Sequence, residues 1–195
     1  RPVKWFTRQD LTADFFAQGL REVRQDPGLT VSGVEPAQME MGSSIVTELT
    51  ARKVKKTVGL FPIRLSYQLS DGAKTSEEVV IKVKPLDAEV TLVANALAQM
   101  CGGRLAAAFA KFKEDVGFQG CHVRELGVYG QSDRRFRDHM PEIIRCYQDE
   151  GREAYVVVME ALSGLELMNT ADDVSGWRKE HIEAAIQGIA QAHAV

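Results

Sequence analysis

The sequence has little of several features that would place it in a specialised class of protein. Its three cysteines, Cys101, Cys121 and Cys146, are odd in number and widely spaced, which suits free thiols in a reducing compartment and matches no metal-ligand spacing. No apolar run approaches the roughly 20 residues of a membrane-spanning helix. The first residues, RPVKWFTRQD, lack the apolar core and cleavage site of a signal peptide. These absences favour a cytoplasmic protein with no membrane partner.

Strong charge of either sign is also missing. The chain has 24 Lys and Arg residues against 27 Asp and Glu residues, a net charge of −3. A mildly acidic chain gives no reason to expect nucleic acid or a membrane surface as a partner. With 45% apolar and 26% charged residues among 195, the composition is that of a globular protein of one domain or slightly more. We find no internal repeat and no low-complexity segment.

In the first half of the chain, helical periodicity gives way to alternation. Residues 9–24 have apolar side chains at helical spacing, with Asp10 or Thr12 as a possible cap. The segments that follow, up to Pro85, are β-rich or alternating and predict an antiparallel meander. The predicted strands cover residues 31–40, 43–54, 60–69 and 77–85, with a hairpin loop at 70–76 before the last.

The second half returns to helices and then adds two strands. The predicted elements are two helices over 87–116 broken at Gly102-Gly103, a helix at 121–130, two strands around a polar turn in 141–162, and a final helix at 177–195. On the first two helices the predicted apolar positions are Leu92, Ala96, Met100, Leu105, Phe109 and Phe112. This order predicts an α+β fold with a twisted, mostly antiparallel sheet of about five strands.

One predicted strand, EEVVIKVKP, places lysines among β-branched residues. Side chains alternate along a strand. One face carries Val79, Ile81 and Val83, and the other carries Val80, Lys82 and Lys84. An amphipathic edge strand with hydrated lysines accounts for this pattern. The alternative is an anionic partner for Lys82, because a buried and unpaired ammonium costs several kcal/mol.

A candidate partner lies on the helix predicted at 121–130. Within RELGVYG, Glu125 and Tyr129 are one turn apart and share a stripe of that helix. Glu125 is either a hydrated helix glutamate or the counter-ion of Lys82. A third segment, YVVVMEALSG, is a strand that continues into a connector and then a helical region.

In this order the three segments resemble the upstream half of the protein-kinase motifs, with VVIK where protein kinases carry VAIK. The resemblance extends to small-molecule kinases of the aminoglycoside phosphotransferase, choline kinase and ecdysteroid-kinase-like group. It rests on a loop, MEMGSSIVTE, a hinge-like VVVMEALSG and a final helix with IAQAHAV, and covers the chain from Val31 onward. It implies a protein-kinase-like small lobe at 1–158 with a helical insertion at about 87–120, a hinge at 159–170, and the start of a helical large lobe at 171–195.

The resemblance implies that nine residues bind ATP. Lys82 would hold the α- and β-phosphates and Glu125 would fix its position, while Lys84 is the nearest rival for the phosphate role. The remaining implied contacts are Val80 against the adenine, Met159 at the back of its pocket, the Glu160 carbonyl and Leu162 amide bonding the base, and Gly42, Ser43 and Ser44 turning over the phosphates. One glycine and two serines also describe an ordinary hairpin turn, and Met159 also suits a plain core position.

The implied activity is transfer of the γ-phosphate of ATP to a hydroxyl of a small molecule. The catalytic and Mg²⁺-binding residues of such kinases follow the IAQAHAV helix, so we expect them after Val195 and expect this stretch alone to be inactive. The expected partners are the acceptor and a C-terminal lobe, without nucleic acid. One alternative is an inactive kinase-like binding or interaction module. Another is an unrelated α+β domain in which VVIK is a coincidence.

Overall fold

The computed structural model describes residues 5–39, 56–165, 168 and 174–194. In these ranges the helices are α1 (Ala13–Val23), α2 (Asp87–Cys101), α3 (Gly103–Phe112), α4 (Cys121–Tyr129), α5 (Arg134–Arg137) and α6 (Lys179–His193). The strands are β1 (Thr30–Pro36), β2 (Gly59–Gln68), β3 (Lys74–Val83), β4 (Ile143–Asp149) and β5 (Ala154–Glu160). Short 3-10 turns at Arg8–Asp10 and Glu150–Arg152 precede α1 and join β4 to β5.

The five strands form one sheet in the order β1-β2-β3-β5-β4, with every neighbouring pair antiparallel. β3 is therefore the central strand, where Lys82 pairs with Leu60 on β2 and Val157 on β5. This arrangement confirms the predicted α+β fold with a sheet of about five strands. The strand predicted at 43–54 lies outside the described residues.

The larger core lies between α1 and one face of the sheet. Its members are Phe6, Phe15, Phe16, Leu20, Leu29, Leu65, Tyr67, Val79, Ile81, Val83, Ile144, Ala154, Val156 and Val158. The three β3 residues in this set are the face predicted to be buried, and each is at most 2% exposed. Lys82 consequently points to the opposite face, away from this core.

Helix α4 covers that opposite face through a smaller core of Leu126, Ile143, Tyr155 and Val157. Its first turn is fixed by Asp87, the first residue of α2. The Asp87 carboxylate accepts a hydrogen bond from the Gly120 N–H at 2.7 Å, and the Asp87 N–H donates to His122 Nδ1 at 3.2 Å. The His122 ring also lies edge-on to Tyr155, with centroids 4.4 Å apart. Helix α4 is thus held at its start as well as along its buried face.

Most predicted elements are present, with shifted ends. Helix α1 begins after Thr12, whose hydroxyl caps it by accepting the Phe15 N–H at 3.2 Å, while Asp10 belongs to the preceding 3-10 turn. Strand β3 begins at Lys74 because that residue still pairs with Gln68, so the hairpin loop is shorter than predicted. The break at Gly102-Gly103 is confirmed, with φ of +67° and +54° at the two glycines, a backbone conformation suited to glycine.

The predicted apolar faces of α2 and α3 were wrong. Leu92 is 68% and Met100 83% exposed, whereas α2 buries Val90, Val93 and Ala98. Leu105 and Phe112 of α3 are also largely exposed. Helix α2 has apolar residues on more than one stripe, and helical spacing alone did not identify the stripe that is buried.

The single turn of α5 was not predicted from the sequence. The Asp133 carboxylate caps it by accepting the Arg135 N–H at 2.9 Å. No helix in the described parts of the chain combines the length and apolarity needed to cross a bilayer.

Candidate functional site

Two lysines of the central strand region share one carboxylate. Lys82 Nζ forms an ion pair with Glu125 Oε1, and Lys84 Nζ forms one with Oε2. The side chains are partly buried, with Lys82 30%, Lys84 16% and Glu125 22% exposed. The expected ion pair between Lys82 and Glu125 is therefore present. Because two ammonium groups face one carboxylate, this three-residue cluster carries one net positive charge.

The position of the cluster follows from two periodicities. Lys82 and Lys84 are two residues apart and project on the same side of the chain, opposite the buried Ile81 and Val83. On α4, Leu126 is 7% exposed and anchors the helix on the sheet. Glu125 precedes this anchor by one residue, so its side chain lies at the edge of the helix–sheet interface. There it reaches both lysines from above the sheet.

The lysines keep Glu125 ionised against the effect of burial. Burial by itself acts to raise the pKa of the Glu125 carboxyl, because a charged carboxylate loses hydration. The adjacent Lys82 and Lys84 ammonium groups outweigh this effect and lower the pKa below its ordinary value. Glu125 is thus a carboxylate at neutral pH, where it pairs with both lysines.

Two of the residues proposed to contact adenine lie beside Lys82 on the same face. Val80 and Met159 are cross-strand partners on β3 and β5, and both are half-buried. Met159 packs against the smaller core together with Leu86 and Tyr129. The sheet therefore presents apolar side chains next to Lys82. The contacts of Met159 with the smaller core also agree with the alternative that Met159 is an ordinary core residue.

The implied hinge residues lie at the end of β5. The Glu160 N–H donates to the Glu142 carbonyl at 2.9 Å, and the Ala161 N–H donates to the Glu78 carbonyl at 3.0 Å. The strand ends at Glu160, and Leu162 beyond it is 51% exposed. Gly42, Ser43 and Ser44 lie outside the described residues, so the phosphate loop stays a prediction.

A second charged cluster, which was not predicted from the sequence, surrounds Lys56. The Lys56 side chain is only 4% exposed, and its ammonium lies 3.0 Å from Glu89 Oε2 of α2 and 3.0 Å from Glu153 Oε2 before β5. Glu89 also accepts the Leu86 N–H at 2.7 Å at the start of the helix. No local pattern identifies this cluster, because its members come from three separate parts of the chain.

His122 was assigned no role from the sequence, yet it is 8% exposed and accepts a hydrogen bond through Nδ1. A ring nitrogen that accepts an N–H must be unprotonated. Burial lowers the pKa of the imidazole, partly opposed by the Asp87 carboxylate. His122 therefore fixes α4 as a neutral ring, one turn before Glu125.

The chemistry available to the Lys82 cluster is the binding of an anion by ammonium groups next to an apolar surface. Among the described residues, no three His, Cys, Asp or Glu side chains form a group able to hold a metal ion. No protein-family model, curated protein or solved structure matches the chain.

Proposed function

We propose that this chain provides the ATP-binding part of a phosphotransferase that moves the γ-phosphate of ATP to a hydroxyl of a small molecule. The observation that supports the proposal most directly is the ion pair between Lys82 on the central strand and Glu125 on the helix above it. The nature of the acceptor rests on the sequence resemblance alone.

The charges around Lys82 suit a polyphosphate. Lys82 is 30% exposed, so its ammonium can reach a ligand without being fully hydrated. Ion pairs and charge-assisted hydrogen bonds to phosphate are stronger in such partly dehydrated surroundings than in bulk water. The net positive charge of the Lys82, Lys84 and Glu125 cluster favours an anion over a neutral ligand.

The apolar neighbours of Lys82 suit a purine ring. Val80 and Met159 lie side by side across β3 and β5 on the face that carries Lys82. Small-molecule sites generally combine an apolar wall with a few polar groups that fix the ligand's orientation. In this proposal the adenine lies against Val80 and Met159, the phosphates extend towards Lys82, and backbone groups of Glu160 and Leu162 bond the base.

The proposal is tested by ATP binding to the wild-type chain and to Lys82→Ala, measured by titration calorimetry. We expect the variant to bind about 10- to 100-fold more weakly, since it loses a charge-assisted contact of roughly 1.5–3 kcal/mol. Lys74→Ala is the matched control, because Lys74 is an exposed lysine at the other end of the same strand. Equal affinities for wild type, Lys82→Ala and Lys74→Ala would contradict the proposal.

A second measurement separates an enzyme from an inactive binding module. If a longer chain carries the catalytic and Mg²⁺-binding residues that the resemblance implies, its ATP turnover with a suitable acceptor should fall by about two to three powers of ten in kcat/KM for Lys82→Ala. The reason is that misplaced phosphates lose alignment with the acceptor. Lys84→Ala should cost much less. ATP binding without turnover in that chain would favour the module.

A further inference from the structure

The cluster of Lys82, Lys84 and Glu125 contains a second ammonium group beside the one assigned to the phosphates. We propose that Lys84 is a second phosphate-binding residue, which contacts the γ-phosphate of ATP while Lys82 contacts the α- and β-phosphates. The site then distinguishes nucleotides by the number of their phosphates. This inference rests on the proposed function, which places the base against Val80 and Met159 and the phosphates at Lys82.

The order of side chains along β3 gives the direction in which the phosphates extend. Val80 and Lys82 project from the same face of the strand, roughly 6.6 Å apart along the chain. The pairing with β5 continues beyond β3, because the Lys84 N–H donates to the Tyr155 carbonyl at 2.8 Å. Lys84 is therefore the next side chain on that face. A nucleotide with its base over Val80 and its first phosphates at Lys82 directs its last phosphate towards Lys84.

The two ammonium groups lie close together. Lys82 Nζ pairs with Oε1 of Glu125, and Lys84 Nζ pairs with Oε2 of the same carboxylate. Because both groups contact one carboxylate, a single polyphosphate can reach both of them. The carboxylate also offsets the repulsion between the two cations, which would otherwise separate them.

Each ammonium group can bind a phosphate while it keeps its ion pair with Glu125. An ammonium has three N–H donors, so its contact with one carboxylate oxygen leaves donors for other acceptors. Lys82 is 30% and Lys84 16% exposed, so both side chains are partly accessible and partly dehydrated. Charge-assisted hydrogen bonds to phosphate are strengthened in such surroundings. The net positive charge of the cluster favours the nucleotide with more negative charge.

A purely structural role for Lys84 predicts a different response to its removal. If Lys84 only holds Glu125 in place, its loss disturbs the ion pair of Lys82 and weakens ATP and ADP by a similar factor. If Lys84 contacts the γ-phosphate, its loss weakens ATP and spares ADP, whose two phosphates lie at Lys82. The ratio of the ATP and ADP affinities therefore separates the two roles.

The test measures dissociation constants of ATP and ADP by titration calorimetry in EDTA, so that no metal ion shields the phosphates, at about 0.15 M salt. We expect Lys84→Met to weaken ATP binding about 3- to 10-fold and ADP binding less than about twofold. Lys82→Met should weaken both nucleotides. Lys84→Arg keeps the charge and should keep the wild-type preference for ATP. Lys74→Met, at the other end of β3, controls for a general loss of positive charge and should change neither affinity.

The outcomes separate this inference from the proposed function. A loss of ATP affinity that spares ADP and is restored by Lys84→Arg supports the inference. Similar losses for ATP and ADP, no loss for either, or a loss as large with Lys74→Met overturn the role of Lys84. The proposed function stands in those cases as long as Lys82→Met weakens ATP binding. Wild type that binds neither nucleotide overturns the proposed function, and the inference with it. Circular dichroism shows whether Lys84→Met is folded, and Lys84→Gln takes its place if it is not.

Discussion

The replacement of Lys56 by Met tests the second charged cluster independently of any ligand. Lys56 is the most buried charged side chain of its cluster, at 4% exposure, and its ammonium lies 3.0 Å from an oxygen of both Glu89 and Glu153. Methionine keeps most of the side-chain volume, so the substitution removes the charge and little of the packing. Any loss of stability then reports on the two ion pairs.

The magnitude follows from two opposing effects. At a separation of about 3 Å and an effective dielectric constant near 20, each ion pair has a Coulomb energy of about 5 kcal/mol. The desolvation of a buried ammonium, several kcal/mol, offsets most of that gain. Removing one partner of a fully buried pair costs roughly 3–5 kcal/mol, but Glu89 and Glu153 are 20% and 35% exposed and can regain water. We therefore expect Lys56→Met to lower the free energy of unfolding by about 2 kcal/mol.

Urea denaturation followed by circular dichroism measures this loss, and thermal melting should show a fall in Tm of about 4–8 °C. The matched control is Lys179→Met on α6, whose lysine also pairs with a glutamate, Glu183 at 3.3 Å, but is 81% exposed. Its loss should stay below about 0.5 kcal/mol. If Lys56→Met costs no more than Lys179→Met, burial does not strengthen the Lys56 ion pairs and the reasoning is refuted.

Two further predictions concern His122 and Gly19. The folded state holds His122 neutral with a pKa below its ordinary 6.5, whereas the unfolded chain takes up the proton, so the free energy of unfolding should fall as the pH drops below about 6.5. Urea titrations between about pH 7 and pH 5 should show a smaller fall in the free energy of unfolding for His122→Asn than for wild type. The control His139→Asn, at an exposed histidine, should match wild type. The same fall in all three proteins would contradict the prediction. At Gly19 of α1, a Cβ would lie 2.5 Å from a β4 carbonyl oxygen, so Gly19→Ala should destabilise by about 1–3 kcal/mol. Gly188→Ala on α6, where a Cβ meets nothing within 4 Å, should instead stabilise the fold by about 0.5–1 kcal/mol in the same denaturation assay. If Gly19→Ala is as stable as Gly188→Ala, the steric argument is refuted.

The pairing of Lys82 with Glu125 was expected from the resemblance to the kinase motifs, and two periodicities in the sequence agreed with it. Alternation in EEVVIKVKP placed Lys82 opposite the core, and helical spacing placed Glu125 on the stripe of Tyr129. Strand alternation also placed Lys84 on the face of Lys82, but Lys84 was considered only as an alternative to Lys82 for binding the phosphates. A carboxylate has two oxygens, and only the structure shows that each lysine contacts a different one.

Where prediction from the sequence failed, the deciding contacts were distant in the chain or ambiguous in period. Lys56 and Glu153 are 97 residues apart, and no local pattern connects them. In α2, both Val90 with Val93 and Leu92 with Met100 fit helical spacing. Periodicity shows that apolar stripes exist, but the choice between them depends on the neighbouring elements, which single-sequence patterns do not reveal.

The start of α2 links the second cluster to the candidate site. Lys56 contacts Glu89, which caps the first turn of α2 through the Leu86 N–H. In that turn the Asp87 carboxylate accepts a hydrogen bond from the Gly120 N–H, and the Asp87 N–H donates one to His122 at the start of α4. The position of Glu125 on α4 therefore depends on the first turn of α2. A loss of the Lys56 ion pairs or of the neutral His122 ring should accordingly disturb the Lys82 cluster without any change in its own residues.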